Sequence, residues 1–146
     1  MGSGVSDVIL MRRKRCRKMT VMSERTSIDA QSLEALDTAR RAVDIAEDRQ
    51  AHDILLLDVR GLCSYADAFV LVSAESKRQI QAIREGMAQG LKEAGHPLFH
   101  TEGEPDSGWV LMDFSDLIVH IFSPEERAFY RLENLWRQAV PLIRIQ

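Results

Sequence analysis

The chain has 146 residues, 45% hydrophobic and 28% charged, which suits one globular domain plus a tail. No apolar run approaches the roughly 20 residues of a membrane-spanning helix, the N-terminus shows no apolar core of signal-peptide length, and Cys16 and Cys63 make neither a disulfide scaffold nor a paired zinc site. The net charge of −3 is divided between a basic segment, residues 1–25, at +5 and a remainder at −8, so the body is repelled by bare phosphate backbones and attracted to basic protein surfaces.

Residues 1–27 lack apolar periodicity and read as a disordered tail, in which Met19 and Met22 are candidate starts. The plain reading of its basic cluster is a solvated extension, the alternatives being a nucleic-acid arm or an organellar transit segment. The domain is expected over residues 28–140, with 141–146 as a C-terminal tail. From about Ser32 to Arg49, Leu33, Leu36, Ala39, Val43 and Ala46 recur at helical spacing. Asp53 to Arg60 is a short β-prone run, a buried strand. Gly61 to Ala66 is a loop, and Asp67 to Ser73 a second strand. Ser76-Lys-Arg-Gln79 fits a capping box, and the helix it opens carries Ile80, Ile83, Met87 and Leu91 on one stripe before stopping at Gly95. Gly86 and Gly90 inside that helix suggest close packing against a sheet. Pro97 to His100 reads as a short edge strand, and Thr101 to Ser107 as a polar loop.

Two apolar runs then flank Ser115-Asp116, and the second leads into a helix start, which predicts a hairpin followed by a helix. Val110, Met112 and Phe114 face one way, and Trp109, Leu111 and Asp113 the other. Likewise Leu117, Val119 and Ile121 oppose Ile118, His120 and Phe122. The final helix has Ser123 as N-cap, Pro124 at its first position and Glu126 three residues on. Its apolar stripe is Phe129, Leu132, Trp136 and Ala139, with Tyr130 on the opposite, polar side.

The order α-β-β-α-β-β-β-α describes a single α/β domain with a mixed sheet of about five strands. Aligned by their acidic residues, the strands place Asp58, Asp67, Asp113 and His120 on one face with Leu56, Phe69 and Trp109, and Leu57, Val70, Val72, Met112 and Val119 on the other. With three helices, one face is well covered and the other at least partly open.

Carboxylates sharing a sheet face suggest one chemistry, magnesium-dependent phosphoryl or nucleotidyl transfer. That chemistry asks for paired acids and a phosphate-cradling Gly-rich loop, whereas the loop before the second helix is Ser73-Ala-Glu-Ser76. His96 and His100 are separated by Pro97, and His120, on a strand beside Ile and Phe, reads first as a hydrogen-bonded structural histidine. The aromatic residues favour partner binding: Trp109 on the mixed face and Tyr130 on the polar side of the last helix couple large apolar area to a polar handle. Trp136, on its helix stripe, reads as core. A homodimer would also cover an open, half-apolar face.

Several motifs agree in order and spacing with one family. Asp53-Ile-Leu-Leu-Leu-Asp-Val-Arg60, Tyr65-Ala-Asp-Ala-Phe-Val-Leu-Val72, Ser76-x-Arg-Gln79, Glu102-Gly103, Gly108-Trp-Val-Leu-Met-Asp113, Asp116-x-x-Val-His-x-Phe122 and Glu126-Arg-x-x-Tyr130-x-Leu-Glu-x-Leu-Trp136 together resemble the ribosomal silencing factor (Iojap, RsfS) family from about residue 32 to 137. The resemblance implies a non-enzymatic domain with a nucleotidyltransferase-like mixed sheet, helices mainly on one face, and no cofactor. It implies binding to the large ribosomal subunit through large-subunit ribosomal protein fourteen, steric block of small-subunit joining, and repression of translation when nutrients are short. It further implies a homodimer in the bacterial cytoplasm or, as the alternative, an organellar stroma or matrix; the charge of the basic tail, separately, makes ribosomal RNA a candidate contact. An interface role falls on Trp109, and by matched motifs and face on Leu111, Asp113, His120, Glu126 and Tyr130. The chain departs from the family pattern at Ser73-Ala-Glu-Ser76, at Ser115 in place of the common turn glycine, and in its first 31 residues.

Overall fold

A helical periodicity that gives way to short β-prone runs produces helices laid on a sheet, and the computed structural model describes this arrangement for residues 29–146. The elements are α1 (Asp29–Asp48), β1 (His52–Asp58), β2 (Ala68–Ser73), α2 (Lys77–Glu93), β3 (His100–Glu102), a 3-10 turn (Pro105–Ser107), β4 (Trp109–Asp113), β5 (Leu117–Phe122), α3 (Pro124–Tyr130), α4 (Leu132–Leu135) and β6 (Val140–Ile145). The basic tail expected over residues 1–27 lies outside the described residues. Among the described residues no helix is long and apolar enough to cross a membrane.

The sheet has six strands in the order β3-β4-β5-β2-β1-β6. Only β2 and β5 run parallel, because α2 and the β3–β4 segment intervene between them. The expected C-terminal tail, 141–146, is instead most of β6, which pairs antiparallel with β1 from Ile54↔Ile145 to Asp58↔Val140. Pro141 obscures this strand in the sequence, yet a proline is tolerated at a sheet edge. β3 also begins later than expected, at His100.

Packing on the first face uses the predicted stripes. Leu36, Ala39, Val43 and Ala46 of α1 and Ile80, Ile83, Met87 and Leu91 of α2 cover Val70, Val72, Val110, Met112, Val119 and Ile121. Ser76 Oγ accepts the Gln79 N–H at 3.1 Å, as the capping box requires. The Gln79 side chain reaches back one residue past the cap, its Oε1 accepting the Glu75 N–H at 2.7 Å, while its Nε2 donates to the Arg49 and Gln50 carbonyls and so occupies carbonyls that the end of α1 leaves over. The two helical glycines serve the α1–α2 contact, not the sheet expected from sequence: a Cβ on Gly90 would lie 2.6 Å from Ile45 Cδ1, and one on Gly86 3.2 Å from Arg49 Nε.

The expected face assignment holds for β2, β4 and β5 and is inverted for β1. Leu56 packs under the helices, while Leu57 lies on the second face with Phe69 and Trp109. The register shifts between His52 and Leu55, where Asp53 takes φ 49. This bulge sets the strand's phase, which alignment by acidic residues cannot recover.

The second face is not open. Every residue of β2, β4 and β5 is buried, because α3, α4 and the segment leading to β6 fold back across it, with Leu132, Trp136 and Ala139 packed on Phe69, Leu71, Trp109, Leu111, Ile118 and Phe122.

Candidate functional site

The last helix was expected to run unbroken from Ser123 past Trp136, and the break in it decides which aromatics face solvent. Its start is as predicted: Ser123 Oγ accepts the Glu126 N–H at 3.2 Å, and Pro124 occupies the first turn, where its missing N–H is no loss. At Arg131 the backbone enters the left-handed region, φ 46, and α4 begins on a new axis. The stripe drawn through Phe129, Leu132, Trp136 and Ala139 therefore belongs to two segments. Leu132, Trp136 and Ala139 are buried as expected, whereas Phe129 is 75% exposed, and Tyr130 turns inward onto the Trp109 ring, 4.6 Å between centroids. Arginine is a good helix former, so nothing in Tyr130-Arg131-Leu132 announces the break.

Beneath α3 lies an aromatic cluster built by cross-strand pairing. Trp109 stands opposite Phe122 and Leu111 opposite His120, which brings the Trp109 and Phe122 rings to 4.8 Å, stacked with their planes inclined by 29°. Phe69 joins edge-on to His120 at 5.4 Å and to Trp136 at 4.9 Å. Such pairs contribute about 0.5–1.5 kcal/mol beyond their buried area. The Trp109 indole donates from Nε1 to His120 Nδ1 at 3.3 Å. An accepting Nδ1 places the proton of the neutral imidazole on Nε2, so His120 is a structural acceptor here.

These contacts correct the expected docking surface. Trp109 is 2% exposed, Leu111 and His120 fully buried, and Asp113 7% exposed. The mixed face they share is covered within the chain by Tyr130, Leu132 and Trp136. Trp109, His120 and Tyr130 do come together, and Glu126 stands at the same end, against Gly108. Asp113 lies at the other end of β4, where its carboxylate accepts the Ser115 N–H at 2.8 Å and holds Ser115 at φ 81, a left-handed turn position that favours glycine. What reaches the surface is Phe129, with the half-buried Tyr130 and Glu126 beside it.

Gly108 seats α3 on the hairpin. Its φ is +80, and a Cβ there would lie 2.7 Å from Glu126 Cγ and 2.8 Å from Ser123 Oγ, while its carbonyl accepts the Ser123 N–H at 2.8 Å. Gly108→Ala is expected to lower stability by about 2 kcal/mol, combining a left-handed penalty with a disturbed N-cap. Urea denaturation measures it, and an unchanged midpoint would mean that the helix start yields freely.

Among the described residues no group of three or more carboxylate, histidine or cysteine side chains is placed to hold a metal ion. Asp58 pairs bidentately with Arg60, at 2.9 and 2.7 Å, from the strand whose phase is inverted, and Asp113 holds its turn. Asp67 is raised above the ordinary 3.8 of an aspartate by burial first, then by Asp116 and Asp58, with Arg60 opposing. A carboxyl raised in the folded state binds its proton more tightly there than in the unfolded chain, so this group's contribution to stability falls as pH climbs from 3.8 through the folded value. Asp67→Asn is therefore expected to raise the melting temperature at pH 7 and to give little or no gain near pH 3. An equal gain at both pH values would assign the effect to packing instead.

Residues 32–146 match the family described as ribosomal silencing factor during starvation. The chain is 38% identical over 98 residues to the ribosomal silencing factor RsfS of Bacillus subtilis, covering 67% of this chain and 83% of that protein. To the RsfS of Zymomonas mobilis it is 39% identical over 111 residues, 76% of this chain and 80% of that one. A crystal structure of a Chromobacterium violaceum protein superposes with a TM-score of 0.67 at 33% identity, over 69% of this chain and 84% of that one.

Proposed function

Since this chain belongs to the family of ribosomal silencing factors, we propose that it binds the large ribosomal subunit through large-subunit ribosomal protein fourteen and blocks joining of the small subunit. Translation is thereby repressed when nutrients are short. The observation that carries this reading is the family match across residues 32–146, which spans every described strand. Two physical features support it. Residues 26–146 carry a net of −8, a sign that attracts the basic surface of a ribosomal protein. An exposed phenylalanine beside a half-buried tyrosine and glutamate supplies the apolar anchor and polar rim of a protein interface.

The contact surface in this reading is the outward side of α3, with Phe129 as anchor and Glu126 and Tyr130 flanking it. Trp109 and His120 act from beneath by holding Tyr130, and Leu111 and Asp113 act by keeping β4 in place. The protein works by occupying space, not by catalysis, in the bacterial cytoplasm. The free protein is a homodimer, which covers the Phe129 side chain when no ribosome is present, and the basic residues before Arg25 add contact with ribosomal RNA.

The test is sedimentation in a sucrose gradient. The protein is expected to travel with isolated large subunits and, when in excess over ribosomes, to shift the profile from whole ribosomes to separate subunits. Normal subunit joining at saturating protein would refute the steric block.

A further inference from the structure

The segment that closes the second face is anchored by three buried side chains, Leu132, Trp136 and Ala139. α3 has no buried residue and α4 contributes Leu132 alone, yet the Trp109, Phe122, Phe69 and His120 side chains beneath are at most 2% exposed. Both ends of this strap are held in the sheet, by β5 before it and β6 after it, so its displacement requires no change in strand pairing. Its junction, Arg131, sits in the left-handed region. Glu133 Oε1 and Trp136 Nε1 are buried in it with no hydrogen-bond partner among the described residues, a cost that the closed state carries and an open one relieves by hydration.

One side chain fastens the strap at its centre. Arg127, 11% exposed, donates from Nη1 to the Asp53 carbonyl at 2.7 Å and to Ser73 Oγ at 2.8 Å, and from Nε to Glu133 Oε2 at 3.0 Å. It thereby ties α3 to the adjoining ends of β1 and β2 and to α4. Bonds from a charged donor are stronger than neutral ones, and all three meet on one guanidinium. Tyr130 on Trp109 and Trp136 on Phe69 are the ring contacts that close with it.

We propose that α3 and α4 form a strap that opens as a unit while the sheet stays folded, that Arg127 is its latch, and that opening exposes the Trp109 face to solvent. The opening does not depend on the partner-binding reading above.

Native-state hydrogen exchange on the free wild-type protein, followed by NMR, tests it without ribosomes. The Trp109 indole N–H reports the face under the strap, and the Val70 amide, in a strand paired on both sides, reports the sheet. The indole is expected to be protected at least about ten-fold less than Val70, and Arg127→Met is expected to lower indole protection by about a further ten-fold while leaving Val70 within about two-fold. Equal protection of the two protons in the wild type, or a parallel fall of both in the variant, would overturn the proposal. If Arg127→Met does not fold, the wild-type comparison decides alone. A protein that exchanges as expected but does not travel with large subunits would leave the strap standing and remove the ribosomal reading.

Discussion

Trp109→Ala is expected to cost about 3–5 kcal/mol of folding stability, the range for truncating a large buried aromatic. The indole is 2% exposed, stacks on Phe122, packs against Tyr130 and donates to His120. Its removal leaves a cavity under α3 and takes away the donor that faces His120 Nδ1, so packing and hydrogen-bond losses add. Equilibrium urea denaturation reads the change, and Trp109→Phe, which keeps a ring but not the donor, is expected to lose less than half as much. A midpoint that stays at the wild-type value would mean that the indole lies outside the core.

Phe129→Ala is expected to do the opposite, leaving stability within about 0.5 kcal/mol, as surface changes do. It is expected to weaken large-subunit binding about 100-fold, or about 2.8 kcal/mol. The side chain is 75% exposed and rests edge-on against Tyr130 at 4.9 Å, so truncation removes contact area offered to a partner without opening a hole in the fold. Co-sedimentation with isolated large subunits at graded protein concentration measures it. Wild-type affinity in the folded variant would move the docking surface away from α3.

These two aromatics show how far the sequence could be followed. The strands β2, β4 and β5, both long helices and the serine caps of α2 and α3 were legible because local signals act within a few residues: Ser76 and Ser123 accept the N–H groups their positions predict, and period-two alternation sorts Trp109 from Val110 onto opposite faces. The strand β6 was not, because its identity depends on an edge of β1 far away in sequence, and Pro141 argues locally against a strand. Nor was the phase of β1, which a bulge at Asp53 determines.

The candidate site divides along the same line. Composition and motif spacing were enough to place the family and the acidic character of the body, since each is a property of residue identity and order. Whether Trp109 or Phe129 meets solvent is a property of how α3 lies on the sheet. That follows from Arg131 leaving the helical region at φ 46 and from Arg127 reaching the ends of β1 and β2. A helical period continues across a break that only tertiary contacts stabilise, so the pattern of apolar residues stayed the same while the exposed aromatic changed.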